Sequence, residues 1–450
     1  MQPAATCYVD CYVDGVGERD KEIVRLAVPA LGALVAEPLF VLADTAIVGH
    51  LGTPQLAGLA AAATVLTTLV SLCVFLAYAT TAAVARQLGA DNIPAALKQG
   101  IDGIWLAVLL GLALVAMGLP TAEPLLHALG ASGKVLPYAV TYLMISLLGI
   151  PAMLIVLAGT GVLRGLQDTR TPLVVAAAAA LGNLLLNILF VYGFGWGIAG
   201  SAWGTVLAQT AAAAAYVVVI RRGARRHAVS VRPDRLGVLA STRAGIPLFV
   251  RTLSLRAVLV LAVAVAARLG DPELAAYQVS FALWTLLAMA LDALAIAGQA
   301  IVGRLLGSGA VAEARAATHR LLMWGLGAGV VSAIVVLAAA PVLGPLFTDD
   351  ATVQAVLLPA LVVVAVLQLV SGPVFLYDGV LIGAGDGRYL AVAATLTTVV
   401  FLPAAWAVLA FDAGLVGLWC ALGVFMLTRL AFLVGRVRGD RWLVPGAIRA

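Results

Sequence analysis

The chain has 450 residues, of which 63% are hydrophobic and only 11% are charged, with a formal net charge of +5 and a mean hydropathy of +1.08. A water-soluble protein of this length could not bury so much apolar surface, so soluble enzymes and binding domains are excluded and a polytopic membrane protein is indicated. Because lipid offers no partners to backbone polar groups, each span must be a helix or part of a closed barrel. Continuous apolar runs of about 20 residues, rather than shorter alternating ones, favour helices.

Breaks between the apolar runs predict an all-α fold with 12 transmembrane helices. Residues 1–20 precede the first span and are expected to form a disordered tail, in which CYVD occurs twice and Cys7 and Cys11 have no further metal ligands nearby. No cleavable signal peptide is indicated. The expected spans, to within a few residues, are 22–49, 55–85, 100–120, 134–161, 171–195, 198–220, 239–268, 273–305, 319–340, 353–381, 388–410 and 413–435.

A basic stretch, RRGARRHAVSVRPDR (221–235), separates the sixth and seventh predicted helices. If both termini are cytoplasmic, all but four of the 27 lysines and arginines fall in tails, cytoplasmic loops or cytoplasmic helix ends. The positive-inside rule therefore predicts a multi-pass protein of the plasma membrane with both termini in the cytoplasm. Anionic inner-leaflet lipid accounts for the basic charge, so a nucleic-acid partner is not expected.

The two halves of the chain repeat each other at a constant offset, since LGTPQLA (51–57) returns as LGDPELA (269–275), 218 residues later. This offset across six helices indicates an internal duplication. It also pairs Arg25 with Arg243, Pro29 with Pro247, Arg86 with Arg304, Gly165 with Gly383, Asp168 with Asp386, and Arg170 with Arg388.

The duplication predicts an N-lobe (21–221), a basic cytoplasmic linker (222–238), a C-lobe (239–437) and a cytoplasmic tail (438–450). Six helices per lobe imply that the lobes are related by a pseudo-two-fold axis along the membrane normal, with a cavity between them. Two such lobes favour transport by alternating access. A channel is less favoured, because no filter-like Gly-rich loop occurs at mid-depth.

Ionisable residues deep within spans are costly and mark functional positions by default. Glu37 and Asp44 are seven residues apart on one face of the first helix, and a carboxyl group in a low-dielectric cavity can hold and release a proton near neutral pH. The alternative is that such acids only pair with arginines and hold helices together. The other ionisable residues within predicted spans are Arg251, Arg256, Asp292 and Asp378.

Two further pairs in the N-lobe carry functional hypotheses. Asn183 and Asn187 are one turn apart and are expected to face the cavity, although interhelical hydrogen bonding alone would also explain them. Pro29 and Pro38 each free a backbone carbonyl and allow the first helix to bend.

No P-loop and no metal-ligand spacing is present, so no cofactor, ATP-driven pump or membrane metalloenzyme is predicted. The recurring loop residues, such as Asp168 and Asp386, are interpreted as structural clamps.

Four stretches together resemble the multidrug and toxic compound extrusion (MATE) family, and in particular its DNA-damage-inducible-F-like (DinF) branch. The resemblance covers essentially all 12 helices. It implies a cation-coupled antiporter that exports amphipathic, often cationic, drugs from a cavity between two six-helix lobes. The stretches are VLADTAIVGHLG (41–52), VLRGLQDTRTP (162–172), GNLLLNILFVYGFG (182–195) and AAYQVSFALWTLLAMALDALAIAGQ (275–299).

The resemblance also implies roles for individual residues. Asp44 matches the family's helix-1 acid, whose protonation is associated with helix bending and drug release, and Glu37 is placed beside it. Asn187 stands where many members have Asp, a departure that leaves Asp44 as the main proton site of the N-lobe. The residues implied to line the substrate cavity are Asn183, Asn187, Thr205, Arg251, Gln278, Asp292 and Asp378.

The coupling ion is expected to be H⁺, because a neutral Asn187 weakens a sodium site in the N-lobe. Na⁺ remains the alternative, since the Asp378 carboxylate could contribute to a sodium site in the C-lobe. A lipid-linked precursor flippase of the same superfamily is an alternative, but it would predict a strongly cationic cavity and often extra helices. A major-facilitator transporter fits poorly, because ARQLGADNIPAALKQG (85–100) stands where that family has a basic loop between helices 2 and 3. A membrane-embedded enzyme would need a cluster of catalytic residues, and the sequence shows none. The expected partners are small amphipathic or cationic substrates and membrane lipids, and the expected state is a monomer.

Overall fold

The computed structural model describes residues 4–448, with the exception of the side chains of residues 4–16 and of Glu37. Within this range every regular element is a helix and no strand occurs, which confirms the predicted all-α class. The backbone of residues 4–20, which was expected to be a disordered tail, is part of helix α1, while the side chains of Cys7, Cys11 and Glu37 lie outside the described part of the chain. The helices are α1 (Ala4–Gly49), α2 (Thr53–Leu72), α3 (Phe75–Gly89), α4 (Ile93–Ala128), α5 (Leu136–Leu147), α6 (Ile150–Gly165), α7 (Arg170–Ile188), α8 (Gly197–Arg226), α9 (Arg235–Leu269), α10 (Asp271–Gly307), α11 (Val311–Phe347), α12 (Ala351–Gly383), α13 (Gly387–Ala410) and α14 (Gly414–Arg438), with a π-helical turn (Leu189–Gly193) after α7.

Eleven of the described helical segments are long and apolar enough to cross a membrane, and the bent pair α5–α6 makes up to 12. The prediction of about 12 spans is therefore confirmed. The predicted span 134–161 is two helices that meet at 49°, because Pro151 opens α6 and cannot donate a backbone hydrogen bond to the preceding turn. The predicted span 55–85 is likewise divided, at Cys73 and Val74, into α2 and α3.

The contacts divide the chain into two compact units. The first unit contains Gly32–Phe249, and its core pairs α4 and α3 with α6, and α2 with α5. Small residues set these distances, because a Cβ at Gly161 would lie 2.6 Å from the Ala77 carbonyl oxygen. Close approach through small residues is the usual way in which membrane helices pack.

The second unit contains Met1–Leu31 and Val250–Ala450. Helix α12 packs against both α10 and α11, and Gly379 permits this since a Cβ there would lie 2.5 Å from the Ala295 carbonyl oxygen. The start of α1 is tied to α10 and α11 by ion pairs, in which Arg304 contacts Glu22 at 2.8 Å and Arg320 contacts Asp20. Pro29 lies in this part of α1 and Pro38 in the part that belongs to the first unit, and α1 is helical through both.

The acids that recur in the two halves have different local roles. Asp168 caps the start of α7, accepting hydrogen bonds from the backbone N–H groups of Arg170 and Thr171 at 3.1 and 3.0 Å. Asp386 is buried before α13 and pairs instead with Arg436, at 2.6 Å, whose guanidinium also lies over the Tyr389 ring. The Asp386–Arg436 pair therefore joins the start of α13 to the end of α14, whereas the Asp168 bonds stay within the start of α7.

Candidate functional site

A buried polar cluster in the first unit contains Asp44 on α1, Asn183 and Asn187 on α7, and Thr205 on α8. Each of these four side chains is at most 4% exposed. Asn183 and Asn187 are four residues apart, so consecutive turns of α7 present both amides to the same side. The structure therefore brings the side chains of three helices together, with Asp44 far from the other three residues in the chain.

The four side chains form a closed ring of hydrogen bonds. Thr205 Oγ1 donates to Asp44 Oδ2 at 3.1 Å and accepts from Asn183 Nδ2 at 3.1 Å. Asn187 Nδ2 donates to Asp44 Oδ1, and also to Asn183 Oδ1 at 3.2 Å. Both carboxylate oxygens of Asp44 therefore accept hydrogen bonds, which is how a buried charge of this kind is stabilised.

The backbone around the ring is shaped to admit it. Gly204 on α8 faces Asn187, and a Cβ at Gly204 would lie 2.5 Å from Asn187 Oδ1. The π-helical turn Leu189–Gly193 begins two residues after Asn187, and such turns occur often at functional sites. From this turn, the Tyr192 hydroxyl donates to the Ile47 carbonyl at 3.0 Å, which connects the end of α7 to α1 one turn beyond Asp44.

A second buried cluster lies in the second unit and is an ion-pair triad. Arg251 Nε on α9 donates to Asp378 Oδ1 on α12 at 3.2 Å, and a second guanidinium nitrogen of Arg251 contacts Oδ2. Arg429 on α14 contacts Asp378 Oδ2 at 3.0 Å. The three side chains are only 8–11% exposed, so one carboxylate balances charges from two helices within a largely desolvated site.

The remaining predicted site residues take other positions. Asp292 lies part-buried on α10, and Gln278 is exposed nearer the start of the same helix. Neither Gln278 nor the exposed Arg256 of α9 is a member of the triad. The side chain of Glu37 is not described, so its predicted place beside Asp44 stays a prediction.

Sequence reasoning missed one residue of each cluster. Tyr142 on α5 is 4% exposed, and its hydroxyl interacts with Asp44 and Thr205. No pattern distinguishes this tyrosine from others in the apolar spans. Arg429 was assigned to a cytoplasmic helix end by the charge bias, although its place within the apolar run of the last helix could have indicated a buried partner.

No group of three or more His, Cys, Asp or Glu side chains in the described part of the chain has the geometry of a metal site. The family model MatE matches residues 29–214 and 247–407, which together are more than half of the sequence. The chain belongs to the MatE family. The family assignment made from the sequence motifs is therefore confirmed.

Relatives of this MatE protein include bacterial and plant proteins. DNA damage-inducible protein F of Escherichia coli (strain K12) is 29% identical over 429 residues, which cover 91% of this chain and 90% of the relative. Protein DETOXIFICATION 44, chloroplastic, of Arabidopsis thaliana is 29% identical over 435 residues, covering 92% and 82%. A probable multidrug resistance protein NorM of Thermotoga maritima is 30% identical over 210 residues, covering 46% and 45%.

Solved structures show that the MatE chain shares its fold with known transporters. A MATE protein in the bent conformation superimposes with a TM-score of 0.84 at 22% identity, covering 94% of this chain and 96% of that one. A MOP superfamily transporter from Pyrococcus furiosus gives 0.83 at 23% identity, covering 93% and 96%. As a member of the MatE family, with relatives named for detoxification and multidrug resistance, the chain is a multi-span transporter and not an enzyme, as predicted.

Proposed function

We propose that this protein is a cation-coupled antiporter of the plasma membrane that exports amphipathic, often cationic, compounds by alternating access. The observation that carries the proposal is the buried ring of Asp44, Asn183, Asn187 and Thr205. It isolates one carboxylate within a span. An ionisable group is energetically costly there, so its presence marks a functional position. The relatives named for detoxification and multidrug resistance support the substrate class.

A proton is the coupling ion that we propose, with Asp44 as its site. In the present ring, Asp44 accepts from an amide N–H₂ group, which can only donate, and from the Thr205 hydroxyl. A proton on Oδ1 would face the Asn187 N–H₂ group, and a proton on Oδ2 would require the Thr205 hydroxyl to reverse its role. Protonation therefore breaks or reverses at least one bond of the ring, and substrate release is proposed to follow from this rearrangement.

Helix α1 is proposed to transmit the change. Pro38 lies six residues before Asp44 and has no N–H group, so the carbonyl one turn earlier lacks its helical partner and bending is easier there. Pro29 supplies the same feature nearer the start of the helix. Loss of the contacts between Asp44 and α7–α8 would leave this end of α1 free to bend.

Aromatic residues of the second unit support an amphipathic cargo. The ring centroids of Phe281 and Trp284 on α10 are 5.8 Å apart. The centroids of Trp284 and of Phe375 on α12 are 6.4 Å apart. Phe375 is one turn from Asp378, so an apolar aromatic surface adjoins the ion-pair triad on α12. We propose that such rings hold the apolar part of a substrate, and that Arg251, Gln278, Asp292 and Asp378 contribute polar contacts.

Sodium is the second candidate for the coupling ion, and one observation favours it. Asn187 Oδ1 is buried and accepts no hydrogen bond from any described residue. Together with oxygens of Asp44, Asn183 and Thr205 it could offer a cation several oxygen ligands, which is what a hard cation requires. Sodium would then replace the proton as the ion that enters when substrate leaves.

A transport assay distinguishes the two ions. We expect inverted membrane vesicles that contain the protein to take up a fluorescent cationic dye when an inside-acid pH gradient is imposed at equal sodium. An inside-high sodium gradient at equal pH should drive no uptake. Uptake driven by sodium alone would assign the site to Na⁺, and uptake that ignores both gradients would refute the antiporter proposal.

Gly204→Ala tests whether the ring itself is required. The new Cβ would clash with Asn187 Oδ1 and displace the amide from Asp44, so we expect dye uptake to fall at least about tenfold, the loss that one disturbed bond of about 1.4 kcal/mol gives. Gly223→Ala on the same helix is the matched control, because its Cβ would meet Leu97 at an ordinary 3.4 Å. Equal uptake by both variants would contradict a role for the ring.

A further inference from the structure

The segment that joins α8 to α9 is held against α4 as an ordered strap, which we define as residues 227–234. Trp105 Nε1 donates to the Val231 carbonyl at 3.0 Å, and Lys98 Nζ donates to the Arg232 carbonyl at 3.1 Å. Asp102 is buried, pairs with Lys98 at 2.6 Å and accepts from the Asp234 N–H at 3.4 Å. The strap therefore has a defined path on the surface of the first unit.

Six exposed arginines surround this strap. On α8 the spacing i, i+1, i+4 and i+5 places four of them on one half of the helix surface. Within the described part of the chain none of the six forms an ion pair. They are Arg221, Arg222, Arg225, Arg226, Arg232 and Arg235.

The local acids are already engaged, so they do not neutralise this surface. Asp102 is bound to Lys98, while the Asp234 carboxylate caps α9 by accepting from the N–H groups of Leu236 and Gly237, each at 3.3 Å. Asp234 keeps its charge, so six arginines are opposed here by one carboxylate and the surface stays strongly cationic. Beside the arginines, α9 begins with apolar side chains that are not covered, since Leu236 is 77% exposed and Leu239 is 45% exposed. Cationic and apolar groups thus lie next to each other.

We propose that this surface is a binding site for the headgroups of anionic phospholipids. It joins two consecutive spans, Gly197–Arg226 and Arg235–Leu269, so it lies at a boundary between membrane and water. At such a boundary the guanidinium groups bind lipid phosphate, while Leu236 and Leu239 enter the acyl region. A soluble acidic protein would not need the exposed leucines. The strap holds the backbone at Arg232, and helix α8 sets the spacing of four other arginines, so several guanidinium groups can reach one headgroup surface.

The test measures the melting temperature of the purified full-length protein in detergent micelles that contain phosphatidylglycerol or phosphatidylcholine. The variant Arg222→Gln/Arg225→Gln/Arg226→Gln removes three charges from the site. Arg170→Gln/Arg388→Gln/Arg438→Gln is the control, because it removes three exposed arginines elsewhere. Each arginine near an anionic surface contributes roughly fivefold to binding. We therefore expect the first variant to need roughly a hundredfold more phosphatidylglycerol for half of its stabilisation, and the control to need the same amount as the natural sequence.

Each variant is compared with its own lipid-free melting temperature, and native mass spectrometry counts bound phosphatidylglycerol as an independent measure. Equal lipid binding by the two triple variants would overturn the proposal. Stabilisation by soluble glycerol phosphate equal to that by the lipid would also overturn it, in favour of a simple phosphate site. High salt should weaken the lipid effect, since the charges are exposed.

Discussion

Replacing Asp44 with Asn is expected to abolish proton-driven dye uptake. Asparagine has the shape of aspartate but cannot take up and release a proton, so the ring would hold one state throughout the transport cycle. The Asp44 side chain is 4% exposed and both of its oxygens accept hydrogen bonds from protein groups. Water therefore cannot reach this position to carry the proton in place of the carboxylate. We expect uptake at or below about 1% of the natural rate, since loss of an essential acid–base group commonly costs 10²-fold or more.

The fold of Asp44→Asn should be largely intact, and the melting temperature in micelles checks this. Glu123→Gln is the control, because it neutralises an exposed acid on α4 and should leave uptake unchanged. Thr205→Val distinguishes the role of the ring from that of the titrating carboxylate. It removes the donor to Asp44 Oδ2 but keeps the carboxylate itself. Normal uptake by Asp44→Asn would move the proposed proton site to Asp292 or Asp378.

Replacing Asp378 with Asn is expected to cause the largest loss of stability. Arg251 and Arg429 would remain within a site whose side chains are about one-tenth exposed, without the carboxylate that pairs with both. Removing one partner of a buried ion pair typically costs about 3–5 kcal/mol, because the remaining charge is left desolvated. A fall in melting temperature and in the yield of monodisperse protein would measure this loss.

Arg429→Gln provides the comparison for this prediction. It removes one cation but leaves the Arg251–Asp378 pair, with its two contacts, in place. We therefore expect a smaller fall in melting temperature than for Asp378→Asn. If the two variants were equally stable, the triad would not be the source of stability that its geometry indicates.

The span count and the main members of both clusters could be predicted from the sequence because burial in lipid leaves a simple signal. A carboxylate such as Asp44 or an amide pair such as Asn183 and Asn187 stands out within an apolar run. Tyr142 did not stand out, since a tyrosine is compatible with an apolar helix whether or not its hydroxyl is used. The pairing of Arg429 with Asp378 depends on how α12 packs against α14, which no local pattern specifies.

The helix breaks were also beyond local reasoning, although Pro151 offered a hint. Hydropathy is continuous through Cys73 and Val74, so the division of α2 from α3 is a property of backbone geometry and packing rather than of composition. The ends of α4 differ from the predicted 100–120 for a related reason. Asn92 caps this helix by accepting from the Ala95 N–H at 3.1 Å, which starts it before the apolar run begins.

These two breaks are a difference in helix continuity between the duplicated halves. Shifted by 218 residues, the break at 73–74 falls on 291–292, inside the uninterrupted α10, and the break at 148–149 falls on 366–367, inside the uninterrupted α12. One copy of the duplicated plan thus has broken helices where the other copy has continuous ones, and the α5–α6 break is a bend of 49°. The copy with the breaks also holds the Asp44 ring, and the Tyr142 hydroxyl connects that ring to α5, which ends at one of the breaks.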